Sequence, residues 1–447
     1  MKVLDSLAMR LLPVANAIGN QRHLQAVRNG LISILPLTIV GSFFTILLNL
    51  PIPSYSEWIA PYLPALDVPF RFTVGLMSLY AAFTIGSYLG SSYKLDKTTS
   101  GFLAMLATLL MVMPMNLAEG IDTAGNAVAA GRYLPISALG SQGLFGAIVA
   151  ALISVEIFHF TKVRKLEIKM PDGVPPVVGE SFAALLPTLF VVLVFWIPRH
   201  FFGFDLNGLL TIAISPLKGF LTGNNLIGGV VTQFVICVFW ALGIHGHAVL
   251  GPIIRPFWDQ AILENSELFQ NGMNAFDLPN LFTEQFYQWY AQMGGTGATL
   301  ALVVLFLFSK SKYLKQLGRL SILPGIFNIN EPIIFGTPIV MNPLLAIPFI
   351  LVPIVNTILV YIVTILGWVP KMMVKPPFSI PAPLGALITS NWNWVACVMV
   401  FVCFFVSLGI YYPFFKAFEK IQVEQEKQTE AAEKEKIMTM DQTVVSE

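Results

Sequence analysis

The chain has 447 residues, of which 55% are hydrophobic and only 11% are charged, whereas about a quarter of the residues in soluble domains are charged. Its mean hydropathy is +0.72, which is too apolar for a soluble protein that must cover its surface with polar groups. The sequence therefore predicts an integral membrane protein. The formal net charge of +1 gives no strong field that would attract nucleic acid, so we expect no such partner.

The N-terminal stretch, residues 1–30, mixes charges into a short amphipathic pattern. It has no continuous apolar stretch before a small-residue cleavage site, so we expect no cleavable signal peptide. The pattern instead predicts an interfacial helix that leads into the first span. The cysteines Cys237, Cys397 and Cys403 lie in apolar stretches and form no Cys-x-x-Cys pair. We expect neither a disulfide framework nor a thiolate metal site.

Apolar stretches that could cross a bilayer, which takes about 20 residues, follow one another along the chain. The candidates without interior charge are Leu31–Leu50, Phe72–Tyr93, Thr98–Leu117, Leu134–Val155, Phe182–Pro198, Leu226–Ile244, Gly297–Phe308, Pro343–Val369 and Val395–Phe415. The uncharged stretches Pro332–Pro370 and Pro376–Phe415 exceed one straight span, so each is expected to hold a span and a re-entrant piece. We predict an all-α polytopic membrane protein with about ten spans.

Loop charge predicts the orientation of these spans. Basic residues precede the first span and follow the second and fourth, at Lys2, Arg10, Arg22, Arg28, Lys94, Lys97, Lys162, Arg164, Lys165 and Lys169. The intervening loops near Glu57–Asp67 and Glu119–Asp122 carry more acidic than basic residues. Because basic loops face the cytoplasm, we expect a cytoplasmic N-terminus.

The chain divides near residue 200, because the spans before this point are evenly spaced and those after it are interrupted. We assign 1–200 to an N-terminal transmembrane half, 201–225 to an amphipathic connector and 226–415 to a C-terminal transmembrane half. Residues 416–447 form a charged tail rich in Glu, Lys and Gln, which favours a frayed, solvated helix end. Glu264–Asn280 is expected to be a polar loop.

The first polar cluster is Phe239–His247, with the sequence FWALGIHGH. Glycines flank His245 and His247, and glycine lets the backbone approach a ligand closely. The histidines either face a polar cavity or are satisfied by backbone carbonyls at a helix end. A zinc site would need a further ligand that is not evident nearby, so no metal site is predicted. Trp240 lies beside the histidines and could cover a sugar ring, although tryptophans are also common at membrane interfaces.

The second cluster is Pro324–Pro338, where Glu331 begins the longest apolar stretch. The prolines at 324, 332 and 338 prevent a regular helix. Irregular backbone at membrane depth is tolerated inside protein or beside a water-filled cavity, and many transporters build substrate sites from broken helices with polar side chains. The alternative is an interfacial loop in which Glu331 meets water.

At these two clusters the sequence resembles the membrane-embedded IIC component of phosphoenolpyruvate-dependent sugar phosphotransferase systems, in the lactose/cellobiose/diacetylchitobiose class. The stretches that carry the resemblance are FWALGIHGHAVLGPI at Phe239–Ile253 and INEPIIFGTPIVMNPLLAIPF at Ile329–Phe349. Supporting stretches lie at His23–Ser42, Pro171–Pro187 and Gly294–Leu302. The resemblance covers nearly the whole chain and implies one IIC domain over residues 1–420.

The resemblance implies a homodimer in the lipid of a bacterial cell membrane, with both termini cytoplasmic, ten spans and two re-entrant hairpins. The N-terminal half would dimerise and the C-terminal half would bind a disaccharide. A histidine and a glutamate of the family lie near the C6 hydroxyl of the sugar and match His245 and Glu331. A stacking tryptophan matches Trp240. A second one, in a Pro-Trp-Thr-Thr-Pro stretch, is replaced here by Phe378, and His247 stands where a small or polar residue is expected.

We therefore expect a permease that takes up a β-linked disaccharide, with cellobiose preferred, and exposes it to the cytoplasm by rigid movement of one half against the other. None of the three cysteines lies in a soluble domain like that of IIB, so a separate phosphorylated IIB protein, supplied by IIA, HPr and enzyme I, would phosphorylate the C6 oxygen. No cofactor is expected.

In this reading Glu331 holds the C6 hydroxyl and takes its proton, while His245 orients the hydroxyl or stabilises charge on the phosphoryl group. Which of the two is the base stays open. Asn328 and Asn330 would bind sugar hydroxyls, and His247 and Phe378 complete the substrate-binding set. The alternatives are a proton-coupled secondary sugar transporter that uses Glu331 and a membrane enzyme that acts on a lipid-linked substrate.

Overall fold

The structure, a computed structural model, describes residues 21–48, 55–121, 127–166, 182–337, 339 and 342–444. Of residues 1–30, for which an interfacial helix is expected, residues 1–20 lie outside these ranges, as does most of the Pro171–Pro187 stretch.

Before residue 202 the chain forms mainly apolar helices. They are α1 (Arg22–Ser33), α2 (Leu35–Leu48), α3 (Tyr55–Ile59), α4 (Leu63–Thr73), α5 (Met77–Ser92), α6 (Lys97–Leu110), α7 (Leu144–Val163) and α8 (Leu185–Phe201). Small residues let these helices approach closely, as is usual in membranes. A Cβ added to Gly86 of α5 would lie 2.6 Å from the Cβ of Ala104 on α6.

Between α6 and α7 the chain forms two short antiparallel strand pairs, which the all-α prediction did not include. Strand β1 (Met115–Leu117) pairs with β4 (Gly131–Tyr133), and β2 (Gly120–Ile121) pairs with β3 (Ala127–Val128). The predicted spans Thr98–Leu117 and Leu134–Val155 are therefore wrong at these ends. Proline contributes at both ends, because Pro114 cannot continue α6 and Pro135 disfavours helical backbone at Leu134.

The C-terminal half combines helices with long irregular segments. Its helices are α9 (Leu206–Leu221), α10 (Leu226–Ala241), α11 (Gly246–Gln270), α12 (Glu284–Phe286), which continues into a π-helical turn at Tyr287–Ala291, α13 (Leu300–Leu307), α14 (Lys312–Ile326), α15 (Glu331–Gly336), α16 (Pro343–Ile365), α17 (Ala382–Thr389) and α18 (Trp394–Val444). Within the predicted connector, α9 follows α8 at a bend of 85°.

Two polar stretches are wholly or partly helical. Helix α11 continues to Gln270, so the first part of the predicted Glu264–Asn280 loop is helical. Its acidic residues have partners on other elements: Glu264 accepts from Lys218 Nζ at 2.5 Å, and Glu267 accepts from Ser141 Oγ at 2.7 Å. The tail, predicted to be a frayed and solvated helix end, is the continuation of helix α18 as far as Val444.

By length and composition, the described part of the chain contains five helices that could cross a membrane, or six if the bent pair α8–α9 counts as one span. Helices α7, α16 and α18 supply three of these candidates, and α10 is a shorter apolar helix. The total of ten spans and the two re-entrant hairpins stay predictions.

The irregular segments in the C-terminal half need partners for their backbone polar groups, because a bilayer supplies none. Asn265 of α11 is fully buried. Its Nδ2 donates to the carbonyls of Asn280 and Met372, both at 2.7 Å, and its Oδ1 accepts from the Asn280 N–H at 3.1 Å. One side chain thus joins a helix to two irregular segments.

We predict that Asn265→Ala lowers the melting temperature of the detergent-solubilised protein. The change leaves a backbone N–H and two carbonyls without this partner, and one buried polar group left unsatisfied costs about 1–3 kcal/mol. Asn271→Ala, at an exposed position just beyond the same helix, is the control and should change little. An unchanged melting temperature for Asn265→Ala would show that other contacts hold the segments.

Candidate functional site

A cavity of about 500 Å³ lies among the irregular segments of the C-terminal half. Its walls come from the end of α10, the start of α11, the π-helical turn, the loops before α13 and α15, and residues 375–379. Ile39 of α2 is the single lining residue from the N-terminal half among those described. The volume lies within the range of roughly 300–1,000 Å³ that is usual for small-molecule sites.

One wall of the cavity lies where the chain turns sharply after α10. This turn brings together Trp240, His245 and His247. Gly243 has a φ of +80°, a conformation that glycine adopts at little cost. The rings of Trp240 and His245 are 4.2 Å apart. His247 is half-buried, and its Nδ1 lies 3.4 Å from Thr296 Oγ1. All three predicted residues line the cavity.

The indole of Trp240 is almost fully buried, with 5% of its surface exposed. Its Nε1 has no hydrogen-bond partner within the described part of the protein. A buried indole N–H usually has an acceptor. Because this one has none among the described residues, a ligand in the cavity can accept a hydrogen bond from it. The limited exposure of the ring means that a ligand would meet one edge or part of a face.

Asn328 joins three walls of the cavity. Its backbone is left-handed, with a φ of +64°, which asparagine tolerates better than most residues. Its Nδ2 donates to the carbonyls of Phe378 and Ile380, both at 2.9 Å, and its Oδ1 accepts from the Gly294 N–H at 3.1 Å. Both donor hydrogens are thereby engaged with the backbone, which leaves a lone pair of the oxygen for a ligand.

The remaining predicted residues differ in burial and position. They are Asn330, Phe378 and Glu331. Asn330 is buried and donates from Nδ2 to the Thr296 carbonyl at 2.8 Å. Phe378 lines the cavity and is 63% exposed, and its carbonyl also accepts from Gln288 Nε2 at 2.8 Å. Glu331 begins α15 directly after Asn330, but its side chain is outside those that the structure describes.

A buried ion-pair network that was not predicted from the sequence forms another wall of the cavity. Arg255 Nη2 lies 2.8 Å from Glu284 Oε1, and Lys375 Nζ lies 3.4 Å from Glu284 Oε2. Lys375 also donates to Asp259, which is 2% exposed. Two cations therefore face two carboxylates, so the network has no formal net charge. The sequence signal was Lys375 itself, which stands between two long uncharged stretches where an ionisable residue is costly.

The side chains of this site do not form a metal centre. Over the ranges given above, no group of three or more His, Cys, Asp or Glu residues is arranged to hold a metal ion. The chemistry of the walls is that of hydroxyl recognition: amides, an indole N–H, imidazoles and ion-paired side chains, next to aromatic surfaces from Trp240, Trp258, Tyr287 and Phe378.

Comparison with known proteins gives close matches over most of the chain. Residues 28–353 match the family described as "Phosphotransferase system, EIIC". The lichenan permease IIC component of Bacillus subtilis (strain 168) is 39% identical over 441 residues, which are 96% of this chain and 96% of the relative. The cellobiose-specific EIIC component of Geobacillus stearothermophilus is 38% identical over 429 residues, 93% of this chain and 94% of the relative. The crystal structure of the transporter ChbC, the IIC component from the N,N'-diacetylchitobiose-specific phosphotransferase system, matches with a TM-score of 0.86 and 40% identity, over 94% of this chain and 99% of that one.

We predict that Lys375→Met strongly destabilises the protein, because it leaves the buried Asp259 carboxylate without its cation. Breaking a buried ion pair by removing one partner costs about 3–5 kcal/mol. Adding Asp259→Asn removes the second charge and should restore most of the melting temperature, since Arg255 and Glu284 still balance each other. A double variant as unstable as Lys375→Met would show that the lysine stabilises the fold by packing alone.

Proposed function

Because this chain belongs to the EIIC family of the phosphotransferase system, we propose that it moves a β-linked disaccharide across the membrane and presents its C6 hydroxyl to phosphorylated IIB. The members of this family are multi-pass membrane sugar permeases that work with a IIB partner. Cellobiose is the preferred candidate. It is the substrate named for a relative that is 38% identical over 93% of this chain.

One observation carries this proposal: the cavity has aromatic and polar walls at once. A disaccharide presents apolar C–H faces and hydroxyl edges, and sites for such ligands combine apolar surface with a few placed polar groups. Trp240 and Phe378 supply aromatic surface. The Trp240 indole N–H, Gln292 and the ion-paired Arg255 supply polar groups on the same cavity.

The phosphoryl transfer requires a base for the C6 hydroxyl. The S–P bond of the IIB phosphocysteine breaks as the O6–P bond forms, and the hydroxyl proton passes to Glu331 or His245. The other residue of the pair orients the hydroxyl or stabilises charge on the phosphoryl group. Asn328 and Asn330 hold the walls of the cavity together. The hydrogen-bonding positions of their side chains that the backbone does not occupy bind sugar hydroxyls.

Transport follows from the division of the chain into two halves. The N-terminal half dimerises and stays fixed, while the C-terminal half moves as a body and opens the cavity towards the cytoplasm. Both termini lie on that side. The donor chain of enzyme I, HPr and IIA keeps IIB phosphorylated, and the charged sugar phosphate cannot return across the bilayer.

Membrane vesicles that contain the protein test this proposal. With phosphorylated IIB on the cytoplasmic side, the accumulated cellobiose should be recovered as the 6-phosphate. Without IIB, the vesicles should bind or slowly exchange the sugar and form none. Uptake of unmodified sugar that depends on a pH gradient, with no phosphorylation in the presence of IIB, would contradict the proposal and favour proton coupling through Glu331.

We predict that Trp240→Phe weakens disaccharide binding by about fivefold, or roughly 1 kcal/mol, which is the usual size of one aromatic contact or neutral hydrogen bond. The variant keeps an aromatic ring and removes the Nε1 donor. Trp368→Phe is the matched control, since Trp368 is 63% exposed and lies outside the cavity walls. Equal affinities for the two variants would show that Trp240 serves packing only.

We predict that Glu331→Gln lowers phosphoryl transfer by about 10²–10⁴-fold, the usual effect of losing a general base, while disaccharide affinity falls only modestly. A 6-deoxy disaccharide probes the contact, because it lacks the hydroxyl in question. The native protein should prefer the normal sugar, and Glu331→Gln should discriminate less between the two. If both proteins show the same preference, Glu331 does not contact the C6 hydroxyl.

A further inference from the structure

Helix α18 extends far beyond the length that a bilayer requires. It has 51 residues, which at 1.5 Å per residue gives about 76 Å, against about 30 Å for the hydrocarbon core of a bilayer. Its apolar part ends near Phe415, and the following residues 416–444, called the extension below, are rich in Glu, Lys and Gln. A polar helix of this kind has little apolar surface to pack against the rest of the protein, so specific polar contacts are needed to hold it there.

Two carboxylates on this extension bind the loop before α14 and the first turn of that helix. Glu419 Oε1 accepts from Ser309 Oγ at 2.8 Å and from the Lys310 N–H at 2.7 Å. Glu426 Oε1 accepts from Ser311 Oγ at 2.6 Å and from the Tyr313 N–H at 2.9 Å. The N–H groups at the start of a helix have no internal partner, and the helix dipole favours a negative charge there. The extension therefore caps α14.

Tyr313 connects this cap to the candidate site. Its backbone N–H is held by Glu426, and its side-chain hydroxyl donates to the carbonyl of Gly336, the last residue of α15. Helix α15 begins at Glu331. A direct path thus runs from the extension of α18, through one tyrosine, to the short helix on which Glu331 lies.

The position of α15 depends on such outside contacts. It has six residues, too few for internal hydrogen bonds to stabilise it alone. At its N-terminal end, Asn330 donates to the Thr296 carbonyl at 2.8 Å. At its C-terminal end, Tyr313 holds the Gly336 carbonyl. The tyrosine side chain is 47% exposed, so its hydroxyl contributes to position more than its ring contributes to the core.

We propose that Glu426 and Tyr313 are positioning residues for phosphoryl transfer, with the extension of α18 fixing Tyr313 and Tyr313 fixing the helix of Glu331. The inference rests on the proposed function, because it assigns the base or its partner to α15. Displacing a reacting group by about 1 Å can cost about 10²-fold in rate. Loss of either contact should therefore slow the transfer step without removing a group that touches the sugar.

The test uses the full-length protein with phosphorylated IIB and cellobiose, and compares Tyr313→Phe and Glu426→Ala with Glu424→Ala. Glu424 is exposed on the same helix and serves as the matched control. For Tyr313→Phe and Glu426→Ala, the transfer rate at saturating sugar should fall by about 10–100-fold. The Kd for cellobiose without IIB should stay within about twofold, and the control should match the native protein in both.

A second measurement separates positioning from general stabilisation. In a Glu331→Gln background, Tyr313→Phe should slow transfer little further, because groups that act as a unit are not additive. Independent, multiplying effects would overturn the inference, as would equal losses of sugar binding and transfer. If Glu426→Ala does not fold, Glu426→Gln, which keeps the size of the side chain and removes its charge, is measured in its place. Tyr313→Phe decides the role of the tyrosine in either case.

The two proposals fail in different ways. Native transfer rates in Tyr313→Phe, beside an active native protein, would overturn the positioning role alone. A native protein that forms no sugar phosphate with phosphorylated IIB would overturn the proposed function, and the role of Tyr313 with it.

Discussion

The need to give every buried backbone N–H and carbonyl a partner is the constraint on which the C-terminal half depends. A helix meets this need internally, whereas the irregular segments around the cavity cannot. Asparagine side chains meet it for them, since one amide offers two donors and an acceptor. Asn265, Asn328 and Asn330 each bind backbone of a distant segment. Asn356 does the same, donating to the Tyr290 carbonyl at 3.1 Å.

This way of holding the backbone makes a polar cavity feasible in an apolar protein. Where regular helices pack, as at Gly86 and Ala104, small side chains bring helices together and leave no space. Where the chain is irregular, the segments stand apart, and their side chains face a common volume. The ion pairs of Arg255 and Lys375 follow the same logic, because each buried charge is compensated by a carboxylate on another segment.

Local sequence signals pointed to several residues that line the cavity but not to its long-range pairs. His245, Trp240 and Asn330 were found because polar or aromatic residues stood at glycine- or proline-rich breaks in apolar sequence, and all three line one cavity. The pairing of Lys375 with Asp259, 116 positions apart, depends on the tertiary fold and left no local pattern. The contacts of the tail were missed for the same reason. Its composition is typical of a solvated helix, while its Glu419 binds a backbone N–H 109 positions earlier.

The two halves of the chain differ in how far the sequence predicts their structure. In the N-terminal half, the predicted spans contain most of α6 and α7 and differ from them at their ends, because hydropathy alone determines most of a simple span. In the C-terminal half, side chains replace the missing backbone partners. Which side chains do so depends on which segments meet in the fold. A site built from such contacts holds its shape only while each distant partner stays in place. The contacts that join α18 to α14 are of this kind, since they lie outside the cavity and yet reach, through Tyr313, the short helix α15.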